Sequence, residues 1–137
     1  VGERLHVVDS LGGAEAALET GKAWFIGVDS DQELTLPADQ AAITLTSGLK
    51  SVGQSIIWLF DEWDAGRTYW GQEVRLGITE GGVGVVIDKN FAKIAPKAVQ
   101  EAVLAAQADI VAGKIVVPTA IGDTTNAVVT LRDSLQP

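Results

Sequence analysis

Two carboxylates and an amide, Asp29, Asp31 and Gln32, follow directly on an apolar run, Ala23-Trp24-Phe25-Ile26-Gly27-Val28. The run reads as a buried strand, so the polar groups sit at its carboxyl end. In open α/β sheets ligands bind in the crevice beyond that end, where loop side chains converge over a rigid scaffold. Lys50 is the cation that belongs with this group. It is expected at the start of the helix after a third strand, at the same end of the sheet as Asp29. A helix-start lysine taken alone is a solvated charge, and its position beside Asp29 is what makes it a candidate.

Other chemistry-bearing patterns resolve into structure. Asp29, Asp31 and Glu33 alternate like the opening of a calcium loop, yet the sixth position is Leu34 and the twelfth is Gln40, where that loop needs glycine and glutamate. Gly81, Gly82 and Gly84 precede a strand, whereas a phosphate cradle must open a helix, so a tight turn is expected. The single histidine, His6, has no serine or cysteine partner in a recognisable motif and is read as structural. No catalytic residue, metal site or cofactor is assigned.

The elements that must position these residues are legible from periodicity and punctuation. Arg4 to Val8 predicts a strand, Gly12 to Thr20 a helix closed by Gly21, and Trp24 to Val28 a second strand. This is the βαβ order of a parallel sheet. Ala41 to Leu45 predicts a third strand, and Ser47 is placed as the cap of a helix in which Val52, Ile56, Leu59, Phe60 and Trp63 share one face. Trp58 and Trp63 are expected in the core on that helix, which ends at Gly66; Tyr69 and Trp70 fall in a turn. Gln72 to Ile78 and Val85 to Ile87 are expected as strands flanking the glycine turn. Pro96 is set as the first residue of a helix with Val99, Ala102, Val103, Ala106 and Ile110 on its apolar stripe, closed by Gly113. Lys114 to Val117 is expected as a last short strand. Residues 1–118 then form one α/β domain built on a three-layer parallel sheet, and residues 119–137 a tail that is strand or disordered.

Composition bounds the function. With 137 residues, 47% of them hydrophobic, and a mean hydropathy of +0.22, the chain has ample material for a core. Its net charge of −8 and pI near 4.4 disfavour nucleic acid and anionic membrane surfaces, whose binding rests on Lys and Arg. There is no cysteine, hence no disulfide framework and no thiolate zinc site. No apolar run reaches the roughly 18 residues of a membrane span. The chain opens on Val1 and has no methionine, which leads to the expectation of a processed or excised piece.

Four blocks in order, Ile26-Gly27-Val28-Asp29-Ser30-Asp31-Gln32, Leu45-Thr46-Ser47-Gly48-Leu49-Lys50, Leu76-Gly77-Ile78-Thr79-Glu80-Gly81-Gly82-Val83-Gly84 and Ala112-Gly113-Lys114-Ile115-Val116-Val117-Pro118, resemble the basic membrane lipoprotein family. These are substrate-binding proteins of ABC importers with a two-lobed, type I periplasmic-binding-protein-like fold. The resemblance covers roughly residues 5 to 118 and the C-terminal half only, a partial second lobe. It implies a nucleoside-like ligand, an ABC permease as partner and an extracytoplasmic, cell-envelope location. It also implies that Asp29 accepts hydrogen bonds from ribose hydroxyls, a role that suits a carboxylate facing a vicinal diol, and that Lys50 reaches the ligand from the next loop. Asp31 and Gln32 are expected to shape the loop by holding backbone amides.

The sequence also departs from that family. Val7-Val8-Asp9-Ser10 stands where a Gly-Gly-Thr-Gly type turn is usual, so no ligand contact is expected there. The first lobe and the opening βα unit of the second have no counterpart, leaving half of the cleft. The expected role is therefore solute binding by a fragment or reduced receptor, with no bond chemistry, in a homodimer or in association with a missing first lobe. The alternative is an interaction or regulatory module that kept the lobe fold and lost the ligand.

Overall fold

A computed structural model describes residues 4–7, 11–117 and 125–134. In chain order the elements are β1 (Arg4–Val7), α1 (Leu11–Thr20), β2 (Ala23–Asp29), a 3-10 turn (Gln32–Leu34), α2 (Ala38–Ala42), β3 (Thr44–Lys50), α3 (Val52–Asp64), β4 (Val83–Val85), α4 (Lys89–Ile94), α5 (Lys97–Val111) and α6 (Thr125–Ser134). The side chain of His6 and residues Val8, Asp9 and Ser10 lie outside the described residues.

The expected βαβ unit is present. β1 pairs parallel with β2, with Arg4 opposite Ala23 and Val7 opposite Ile26, and β2 pairs parallel with β3. Gly21 links α1 to β2 at φ +60°, a left-handed conformation that costs glycine least. The fourth strand makes the sheet mixed: β4 runs antiparallel to β3, with Gly48 opposite Val85 and Lys50 opposite Val83. The glycine turn is where expected, with Gly81 at φ +70°. It is closed by Ser51 N–H donating to the Gly82 carbonyl at 2.8 Å.

The third strand is displaced from its expected span. Residues 38–42 form α2, and the strand runs from Thr44 to Lys50. Ser47 is therefore inside β3 and fully buried, and Ser51 takes the N-cap position of α3. Lys50 ends a strand instead of beginning a helix. The Thr44-Leu45-Thr46-Ser47 sequence tolerates burial because each hydroxyl is satisfied. Thr44 Oγ1 donates to the Gln40 carbonyl at 2.9 Å, Thr46 Oγ1 to the Val86 carbonyl at 2.6 Å, and Ser47 accepts from the neighbouring loop.

Two expected strands do not form. Gln72 to Ile78 pairs with no described strand, since β3 receives only β4 along that edge, and Lys114 to Val117 lies exposed after α5. Alternating side chains make a strand only where a ladder partner takes up the backbone groups. The tail residues Thr125–Ser134 are helical. Pro96 caps α5 from outside, with Lys97 its first residue.

The core is small. Ala14 and Ala17 of α1 lie on Phe25 of β2, all three buried, with Ala23, Leu36 and Ile43 packed around them. The short alanine side chains let α1 approach the strand closely enough to enclose the phenyl ring completely. Phe25→Ala would remove the largest member of this cluster, so its chemical denaturation midpoint should fall by the equivalent of about 3 kcal/mol with the denaturant slope unchanged.

Candidate functional site

The strand-end site is built on a glycine. A Cβ at Gly27 would stand 2.5 Å from Ser47 Oγ and 2.9 Å from Gln32 Cβ, closer than atoms can approach. The bare backbone lets the 3-10 turn fold over β2 and dock on β3. Gln32 N–H donates to Ser47 Oγ at 3.1 Å, and Gln32 Nε2 donates to the Val28 carbonyl at 3.0 Å. Gln32 thus ties the loop to both strands through a carbonyl and a hydroxyl.

Asp29 ends β2 in a strained turn. Its φ is +70°, and Ser30 N–H donates to the Val28 carbonyl at 2.9 Å. A hydrogen bond spanning two residues around a positive-φ centre is a γ-turn, a rare conformation that aspartate tolerates better than most side chains. It costs of the order of 1–3 kcal/mol and persists only where surrounding contacts impose it. Here the imposing contacts are the β2–β3 ladder on one side and the Gln32 anchors on the other.

Lys50, the last residue of β3, reaches across the strand ends, and its Nζ lies 2.9 Å from Asp29 Oδ1. The two side chains are 61% and 53% exposed, so the ion pair contributes no more than about 1 kcal/mol. An incoming polar ligand can enter this pair at little cost. The structure thus brings Asp29 and Lys50 together at the carboxyl ends of adjacent parallel strands.

Asp31 takes a different partner from the expected backbone amides. Its Oδ2 accepts from Lys89 Nζ at 2.7 Å, while its buried Oδ1 has no hydrogen-bond partner. The hydrogen bond to Asp31, assisted by one to Asp88, holds the Lys89 ammonium above the usual lysine range against partial burial. Lys89 itself sits at φ +53°. Beside it, Asn90 Nδ2 donates to the carbonyls of Ala41 at 2.9 Å and Thr44 at 3.0 Å, and Asn90 N–H donates to Glu33 Oε2. The start of α4 therefore clamps the loop that carries Asp31. Sequence reasoning missed Lys89 and Asn90, which lie 58 and 57 positions from their loop partners; no local pattern marks them.

Helix α3 is turned over relative to expectation. Trp58 is half-buried and stacks obliquely on Tyr69 with ring centroids 5.2 Å apart, but Trp63, Phe60, Leu59, Ile56 and Val52 are exposed and no residue of α3 is fully buried. Away from that stripe α3 carries a polar cluster. Glu62 receives two hydrogen bonds from Arg67 and one from the Tyr69 hydroxyl, and Gln54 lies against the glycine turn. The Arg67 bonds, then the Tyr69 bond, lower the Glu62 carboxyl to a pKa of about 2. Between α3 and residues 67–76 is a cleft of about 410 Å³ whose lining includes Trp58, Phe60, Trp63, Tyr69 and Trp70.

No family model matches the chain. The chain is 32% identical over 106 residues to a protein described as the ABC transporter nucleoside-binding protein BmpA of Lactococcus lactis subsp. cremoris (strain MG1363), a match over 74% of this chain. The match spans 29% of the length of that relative. The resemblance expected from the four sequence blocks is therefore found, and it is partial. The α/β architecture is consistent with part of a periplasmic-binding-protein-like lobe.

Two stability measurements test this geometry. Gly27→Ala should destabilise by about 1–3 kcal/mol through overpacking against Ser47 and Gln32, whereas Gly48→Ala, whose Cβ would find only the Gly27 carbonyl at 4.0 Å, should be tolerated. For Glu62 the folded pKa lies below the ordinary value of 4.5. Its contribution to stability is then present above pH 4.5 and lost as pH falls towards about 2. Urea midpoints followed across that window should drop less steeply for Glu62→Gln than for the wild type.

Proposed function

We propose that this chain is a solute-binding portion of an ABC-importer receptor of the nucleoside type, carrying one wall of the ligand cleft, with Asp29 and Lys50 as its ligand-binding residues. The observation that carries the reading is the γ-turn at Asp29. A charged residue is held in a strained conformation at the carboxyl end of a parallel strand, 2.9 Å from a lysine on the next strand. Support also comes from the relative, which is described as nucleoside-binding.

In this role the Asp29 carboxylate accepts from a vicinal diol of the solute, and Lys50 Nζ donates to a ring oxygen or base acceptor. Asp31 and Gln32 stand behind them, fixing the loop through Lys89, Ser47 and Val28. The work is binding, without bond chemistry, and the receptor acts on the extracytoplasmic side with a membrane permease as its partner. Two or three charge-assisted bonds of about 1.5–3 kcal/mol each, less the cost of association, fall short of micromolar binding and allow this half-cleft a millimolar affinity at best.

The test is a two-dimensional NMR titration with inosine. Resonances of residues 29–32 and 48–50 should shift with a Kd on the order of 1 mM. Asp29→Gly should abolish the shifts without loss of stability, because relief of about 1 kcal/mol of turn strain offsets the added backbone entropy of glycine, about 0.5–1 kcal/mol. Spectra unmoved by millimolar inosine would overturn the assignment in favour of a non-transport interaction module. A micromolar Kd would overturn the half-cleft description.

A further inference from the structure

Helix α3 presents its apolar side to solvent. Val52, Ile56, Leu59, Phe60 and Trp63 recur at the three- and four-residue spacing that aligns side chains on one face, and they are 47–60% exposed. Gln54, Ser55, Trp58 and Glu62 are half-buried, and the contacts of Gln54, Trp58 and Glu62 are with the segment that follows the helix, at Gly81, Tyr69 and Arg67. An amphipathic helix packed for its own domain has the reverse arrangement. We propose that this stripe is a homodimer interface, in which two copies lay their α3 helices antiparallel about a two-fold axis.

Area supports this occupant. Aromatic side chains offer about 150–250 Å² each and aliphatic ones less, so five side chains about half exposed present on the order of 450 Å² of apolar surface. A standard interface takes about 800 Å² from each partner, a little over half of it apolar, which again comes to about 450 Å². The stripe alone therefore supplies the apolar core of such an interface. A patch of this size is as large as the largest on a typical monomer, and such patches are often functional.

Shape and charge favour a second copy. The 13 residues of α3 span about 20 Å, long enough for several turns of ridge-into-groove contact, and the aromatic cleft beside α3 opens next to the same stripe. The helix carries Asp61 and Asp64 in its last turn and begins at Val52, two residues after Lys50. Antiparallel pairing brings the acidic end of each helix to the amide-rich N-terminal end of the other, where cationic and dipolar groups stabilise carboxylates. Because the contact is isologous it closes at two chains and leaves no unsatisfied copy of the patch. Lys50 adjoins the helix, so the second copy lies next to the strand-end site.

Sedimentation equilibrium of the 137-residue chain tests this. The wild type should be mainly dimeric at about 100 µM, with a dissociation constant of about 1–10 µM. Phe60→Glu and Ile56→Lys, both at exposed positions, should each weaken association at least tenfold while leaving the far-ultraviolet circular dichroism unchanged. Val99→Glu, an equally exposed apolar site on α5, should leave the dimer intact and control for a general effect of added charge. A wild-type monomer at that concentration would overturn the proposal, meaning that the stripe serves another occupant such as a further domain. A dimer that survives both α3 substitutions, or an open-ended series of larger species, would overturn it as well.

Discussion

At the crossing of β2 and β3, the missing side chain of Gly27 leaves room for Ser47 Oγ and the Gln32 side chain, and these two groups then hold the following loop through a pair of hydrogen bonds. Everything at the strand ends depends on this close approach. Because the 3-10 turn is anchored on both strands, the chain must reverse within one residue at Asp29, and that residue is forced into the left-handed region. A side chain at Gly27 would push the turn outward and relax Asp29, which would separate it from Lys50. The ion pair is thus a consequence of steric room two residues upstream. It has little stabilising value of its own, because both charges are largely hydrated.

The loop is secured from its other side by α4. The Lys89 ammonium pairs with Asp31, and the Asn90 amide bridges the end of α2 to the start of β3. Both contacts are partly shielded from water, where hydrogen bonds to charged groups are stronger than exposed ones. The division is physically sensible. Asp31 is spent on holding the loop and is mostly covered, whereas Asp29 is displayed on the surface. Two carboxylates two residues apart have different roles because their environments differ.

The rest of the molecule is held less tightly. Among the described residues Phe25 and two alanines make one enclosed cluster and Val86, Phe91 and Ala95 are also buried, while α3 and α5 contribute no fully buried residue. On α3 the Glu62–Arg67–Tyr69 cluster ties the helix to the segment that follows it, and the apolar stripe is left facing out. A helix governed by non-directional burial alone would turn the other way.

The amino-acid sequence by itself determined the elements whose signals are local. The α1–β2 pair, the reversals at Gly21, Gly66 and Gly113, the glycine turn before β4, and the polar group after Val28 follow from apolar periodicity and from residues that alone tolerate positive φ. It also placed Asp29 and Lys50 at one end of one sheet. Only the tertiary structure decided that β3 runs from Thr44 to Lys50, because the hydroxyls of Thr44, Thr46 and Ser47 become buried strand when the Gln40 carbonyl, the Val86 carbonyl forty positions away and a loop amide satisfy them. It alone decided that Gln72 to Ile78 stays unpaired, since a strand exists only with a neighbour. It decided the face that α3 shows, because a helical stripe fixes an axis of amphipathicity and says nothing of which side is covered. And it brought Lys89 to Asp31, a contact between residues 58 positions apart that no spacing encodes.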